Sequence, residues 1–167
     1  RPLPRWKYVA GRFAGLLAAV FSAKGLMALM HVGVMLLKGW VPETFFFACY
    51  PFMALKISVA TALALFFSLF STSQVSSVVF TLFFWLLGHF GTELEFLAEK
   101  ARNAAAGLGL KAFLLLLPRL ELLNYKDLIE APSAGAGMLL ARGAVYAVMY
   151  AGACLALSAT LFSRKEL

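Results

Sequence analysis

Two lysines stand inside long apolar runs, Lys24 in Phe13–Leu37 and Lys56 in Phe45–Phe70. A charge in such a run is costly; it is paired, faces water or serves function. Snorkelling or an internal pair is the plain reading of both. The functional reading is a polar lining of a translocation path that attracts anionic groups, such as a lipid or polymer phosphate. Lys24, Met27, His31 and Met35 share one helix face, at offsets 0, 3, 7 and 11. Methionine and histidine bind soft metals, but methionine stripes in membrane helices are chiefly packing. No metal site is therefore assigned, and His31 joins Lys24 and Lys56 as a path candidate.

The carboxylates form a second group. Glu93, Glu95 and Glu99 crowd one stretch, and Glu121 and Asp127 follow. Paired carboxylates can do acid–base work. No nucleophile or metal-ligand cluster accompanies them, so no catalytic residue is assigned. Glu121, Asn124 and Asp127 read as polar groups that satisfy the backbone ends of short helices. A gate is the alternative, with His89, Glu93 and Pro118 as its further candidates. Cys49 and Cys154 sit far apart in apolar runs and read as small buried hydrophobes. There is no GxxxxGK[ST], HExxH, GxSxG or dinucleotide fingerprint, which excludes an ATP site of the P-loop kind.

The elements that must position these residues follow from composition. The chain is 62% hydrophobic and 14% charged, against about 25% charged in soluble domains. It cannot cover its surface with polar groups and belongs in lipid. The net charge of +7 lies near span ends, so it reads as membrane orientation and not as nucleic-acid binding. Four spans are predicted, at residues 13–37, 45–70, 75–96 and 135–162. KGWVPET joins the first two and STSQVSS the next two. The long third connection is nearly neutral, with five basic and six acidic residues over Glu93–Glu130. Within it Ala104–Leu117 is apolar but too short to cross, so residues 98–132 are predicted to be a re-entrant or interfacial segment on the outer side. Leu120–Ile129 reads as a second short amphipathic piece. Four spans put both termini on one side. The basic stub of Arg1, Arg5, Lys7 and Arg12, with the tail SRKEL, makes that side cytoplasmic. The expected fold is all-α: a polytopic membrane protein of about four transmembrane helices, with short re-entrant helices before the last. Small residues at Gly11 and Gly15, and at Gly143, Ala147 and Ala151, predict close helix packing within or between chains.

Four stretches together resemble the ABC-2 type transporter permeases. They are PLPRWKYVAGRFAGLL at the start, FSTSQVSSVVFTLFFWLLGHF around the third span, LLPRLELLNYKDLI in the outer segment and LFSRKEL at the end. They span nearly the whole chain in the family's order. The resemblance implies the transmembrane subunit of an ATP-driven exporter in the inner or plasma membrane. A separate cytoplasmic ATPase would bind ATP and Mg, this chain would carry no cofactor, and a second permease copy or related permease would complete the path. It implies that Pro4, Arg5, Trp6, Lys7, Tyr8, Gly11 and Arg12 form a coupling segment, within residues 1–11 and the turn after, that docks on the ATPase. From residue type alone the same stub is an interfacial anchor on anionic lipid. Family members generally have six spans, so the resemblance further implies that this chain is the C-terminal four-helix portion and that two earlier spans are missing. A non-transporting anchor or scaffold subunit is the first alternative. An intramembrane enzyme acting on lipid through the outer carboxylates is the second.

Overall fold

A computed structural model of the chain describes residues 5–41, 44–101, 104–124 and 136–164. Among the described residues every regular element is helical. The elements are α1 (Arg5–Leu37), α2 (Thr44–Phe70), α3 (Gln74–Leu87), α4 (Gly91–Glu99), α5 (Ala104–Leu116), a short 3-10 turn (Leu120–Leu123) and α6 (Ala136–Arg164). Three stretches are long and apolar enough to cross a membrane, Trp6–Leu37, Phe47–Phe70 and Gly137–Phe162. The chain is an all-α, multi-pass membrane protein.

α1 is one unbroken helix from Arg5 to Leu37. It stops where Gly39 takes φ +73. The Trp40 N–H then reaches the Met35 carbonyl, and the Gly39 N–H that of Leu36, both at 3.0 Å. This six-to-one and five-to-two pairing needs a left-handed residue just past the helix, which glycine supplies at least cost.

α2 and α6 make the core. Gly143, Ala147 and Ala151 recur every fourth residue on α6, and this stripe lies against α2. Ala147 packs with Val59, and Ala151 and Cys154 pack with Ala62, Leu63 and Phe67. Contact order rises along both helices together, so they run the same way. α3 returns antiparallel beside α2, with Phe67 against Phe80 and Phe84 at 5.6 and 5.0 Å. At the opposite end of the core from the Pro118–Leu123 segment, Tyr8 of α1 stacks on Phe162 of α6 at 5.5 Å. The start of the first helix and the end of the last therefore share one side. Gly11 and Gly15, by contrast, have nothing within 4 Å of where a Cβ would stand. That small-residue pair packs against nothing in the described chain.

The third crossing differs from the single helix predicted over residues 75–96. α3 has 14 residues, about 21 Å at 1.5 Å per residue, short of the ~30 Å of a hydrocarbon core. The chain then breaks over Gly88–Phe90 and leaves as α4 at 71°. The cause is a foreign segment at the break: the Pro118–Leu123 stretch crosses the end of α3. Leu120 and Leu123 pack with Val59 and Ala147 near the middle of α2 and α6, so this connecting segment dips into the bundle.

Candidate functional site

That dip is the most elaborately bonded place in the described structure. α5 ends before Pro118, which has no N–H to continue a helix. Its last turn packs through Leu114 and Leu117 onto Ala98 of α4. Non-helical backbone at membrane depth must find partners within the protein, and each neighbouring helix supplies one. The Leu120 N–H reaches the Gly88 carbonyl at 3.0 Å. The Arg119 N–H reaches the Tyr146 hydroxyl at 2.6 Å, and the Tyr150 hydroxyl donates to the Leu116 carbonyl at 2.9 Å. The approach at Gly88 is so close that a Cβ there would stand 2.4 Å from the Pro118 carbonyl oxygen.

Side chains complete the clasp. Glu121 Oε1 accepts the Thr92 N–H at 2.9 Å, and Oε2 accepts the Thr92 hydroxyl at 2.6 Å. Thr92 lies in the first turn of α4, whose N–H groups lack partners within the helix. A carboxylate there also meets the positive end of the helix dipole. Glu93 sits in the same first turn. The Arg119 guanidinium pairs with Glu95. At the deep end, the Lys56 ammonium donates to Asn124 Oδ1 at 2.8 Å. Thus Glu121 meets a backbone end, as its type suggests, while Asn124 meets a lysine on another helix. His89 closes α3: its Nδ1 lies 2.9 Å from the Trp85 carbonyl, and its ring packs on Trp85 at 4.6 Å.

Gly88, His89, Pro118, Glu121 and Asn124 are thereby gathered at one place with Lys56, and Glu93 stands at its edge. Lys24 and His31 are not part of it. The Lys24 ammonium instead lies 3.4 Å from the Met53 thioether, one turn before Lys56 on α2, and His31 is exposed on α1. At the start of α1, Trp6 and Tyr8 are exposed, and the Lys7 ammonium lies 5.7 Å from the Trp6 ring centre. Arg12 lines a cleft of about 320 Å³ with Ser68, Gln74, Ser77 and Thr81. Pro4, Asp127 and the side chain of Arg5 lie outside the described residues. Among the described residues no three histidine, cysteine or carboxylate side chains converge on a metal position.

Thr92, Arg119, Tyr146 and Tyr150 join the clasp without having been singled out from sequence. The two tyrosines carried a signal: they lie four apart in an otherwise apolar span, and a buried tyrosine hydroxyl usually finds a hydrogen-bond partner. The bonds of Glu121 set a measurable expectation. Glu121→Ala removes both acceptors at the start of α4 and is expected to cost about 1–2 kcal/mol, with Glu121→Gln between it and the native protein. Thermal unfolding in detergent reads the order, and equal midpoints for all three would show that the cap carries nothing.

No family model, characterised protein or solved structure matches the chain.

Proposed function

We propose that the chain is the membrane-embedded, path-forming portion of an ABC-2 type ATP-driven transporter, acting with a separate cytoplasmic ATPase and a second permease copy. On this reading it sits in the inner or plasma membrane with the start of α1 and the end of α6 in the cytoplasm. The observation that carries the reading is the continuity of α1. The basic, aromatic turn Arg5–Arg12 is the first part of the same helix that ends at Leu37. A helix transmits a push along its axis without loss in a flexible joint. A force on the stub is thus delivered to the whole of α1 and, through Tyr8 against Phe162, to the end of α6. α6 in turn holds the outer clasp through Tyr146 and Tyr150. This gives a mechanical line from the cytoplasmic end to the outer end. The clasp is the gate: its bonds are single and separable, whereas the α2–α6 seam is continuous packing.

The chain contributes no hydrolysis. Its residues receive movement, and ATP and Mg belong to the partner. The test is reconstitution of the full-length protein with the ATPase that co-purifies from its native membrane. The double change Arg5→Glu with Lys7→Glu is expected to reduce permease-stimulated ATP hydrolysis about tenfold, a loss of ~1.4 kcal/mol of coupling. The unfolding temperature should stay within a degree or two of native. Unchanged stimulation, or the absence of any co-purifying ATPase across several mild detergents, sinks the reading.

A further inference from the structure

We infer that the seam between α1 and α2 is a binding groove for a lipophilic anion, an apolar molecule carrying one oxyanion head such as a long-chain carboxylate or a monoalkyl phosphate. The two intramembrane lysines stand close in depth, Met53, the contact of Lys24, being about one turn before Lys56 on α2, yet the protein treats them differently. Lys56 is met by the Asn124 amide oxygen. Lys24 is met by the Met53 sulfur at 3.4 Å, a thioether and hence a weak acceptor. Among the described residues Lys24 has no carboxylate and no carbonyl oxygen as a hydrogen-bond or ion-pair partner.

Position makes that unusual. Along α1, at ~1.5 Å per residue, Lys24 lies about 18 Å from Arg12, the last charge of the basic stub, and about 20 Å from Leu37. Neither end is within reach of a lysine side chain, so snorkelling does not bring the ammonium to water. A charge held at such depth without a partner is costly, and residues of this kind mark ligand and ion pathways. The surroundings point to what the partner is. Lys24 lines a groove of about 280 Å³ with Phe21, Gly25 and Ala28 of α1 and Tyr50, Met53 and Ala54 of α2. Apart from Lys24 and the Tyr50 hydroxyl these walls are apolar, and nothing stands within 4 Å of where a Cβ on Gly25 would be. The groove is at the small end of ligand sites, which run from about 300 Å³. It fits a head group and the first methylenes of a chain whose remainder lies in the bilayer. One cation on an apolar floor selects one negative charge joined to hydrocarbon. It rejects a cation by repulsion, and it offers a neutral alcohol a hydrogen bond but no opposite charge to pair with, the weaker of the two interactions.

The inference concerns equilibrium binding without an ATPase, so it stands or falls apart from the transport reading. The probe is a palmitic acid bearing a diazirine near its carboxyl end. It is photolysed with the full-length protein in phosphatidylcholine nanodiscs, and labelled peptides are mapped by mass spectrometry. Label is expected within residues 21–28 and 50–54. It should be chased by oleate or hexadecyl phosphate at about one-tenth of the oleyl alcohol concentration that does so. Stronger chase by oleate identifies a carboxylate ligand, and stronger chase by hexadecyl phosphate a phosphate head. Lys24→Gln is expected to lower labelling about tenfold and Lys24→Arg to keep most of it. Gly25→Leu, which leaves the charge and fills the slot, should lower labelling as Lys24→Gln does. Three outcomes each overturn the inference: equal chase by oleyl alcohol, chase by inorganic phosphate alone, or native labelling of both Lys24→Gln and Gly25→Leu in variants that elute as folded protein.

Discussion

Gly88→Val is expected to open the clasp between the Pro118 segment and the end of α3, and to be among the most destabilising single changes in the chain. Its new Cβ would stand 2.4 Å from the Pro118 carbonyl oxygen, 3.1 Å from Pro118 Cγ and 3.2 Å from Leu120 Cδ1. The nearest of these atoms is backbone and cannot swing aside. It can withdraw only if the segment retreats, and retreat breaks the Leu120–Gly88 and Arg119–Tyr146 bonds together. Overpacking of this kind costs about 1–3 kcal/mol, and the lost bonds add to it. A fall of several degrees in unfolding temperature and a reduced yield of monodisperse protein are expected. Gly91→Ala is the internal control. Its Cβ would meet the Glu121 carboxylate at 3.3 Å, the far end of a flexible side chain, so its effect should be a fraction of that at Gly88. Native stability in Gly88→Val would mean that the Pro118 segment does not lie where the structure puts it.

The second large effect is expected at the Lys56–Asn124 pair. Asn124→Leu removes the amide oxygen from a charge near the middle of α2. A hydrogen bond to a charged group is worth roughly 1.5–3 kcal/mol, and the loss should register at that scale. Lys56→Met alone strands an amide and should cost less. The double change Lys56→Met with Asn124→Leu replaces both groups by apolar ones and should recover much of the loss. Chemical unfolding of the four proteins closes the cycle. Single effects that add to within about 0.5 kcal/mol would show that the two groups do not interact.

Much of this architecture is legible in the residue order, and the parts that are not have a common cause. The runs at Phe13–Leu37, Phe45–Phe70 and Gly135–Phe162 are long enough that hydropathy alone finds α1, α2 and α6. Ala104–Leu117 reads as too short to cross, and α5 occupies Ala104–Leu116. The third crossing misleads because apolarity reports burial and not direction. Val75–Leu87 on one side of a 71° bend, and Leu94, Phe96 and Leu97 on the other, are largely apolar. The only local marks of the bend are Gly88 and Gly91, and the segment that forces it is about thirty residues away. The partner of Lys56 is 68 residues distant, so no spacing rule could pair it with Asn124 rather than with lipid headgroups. The small-residue stripes make the same point. Gly11 with Gly15 and Gly143 with Ala147 carry the same four-residue spacing, yet only the second stripe meets a neighbouring helix.

The clasp also bears on how the protein is made. The backbone groups exposed where α3 breaks find their partners at Leu120 and Glu121, and that segment is itself held by Tyr146 and Tyr150 of the last helix. While the ribosome is still upstream of Ala136, those hydroxyls do not exist. The nascent chain leaves the translocon with a third crossing too short to seal its own half of the bilayer. Order of synthesis and order of closure therefore run apart: the break after α3 is sealed only when the last helix, which holds the sealing segment, arrives.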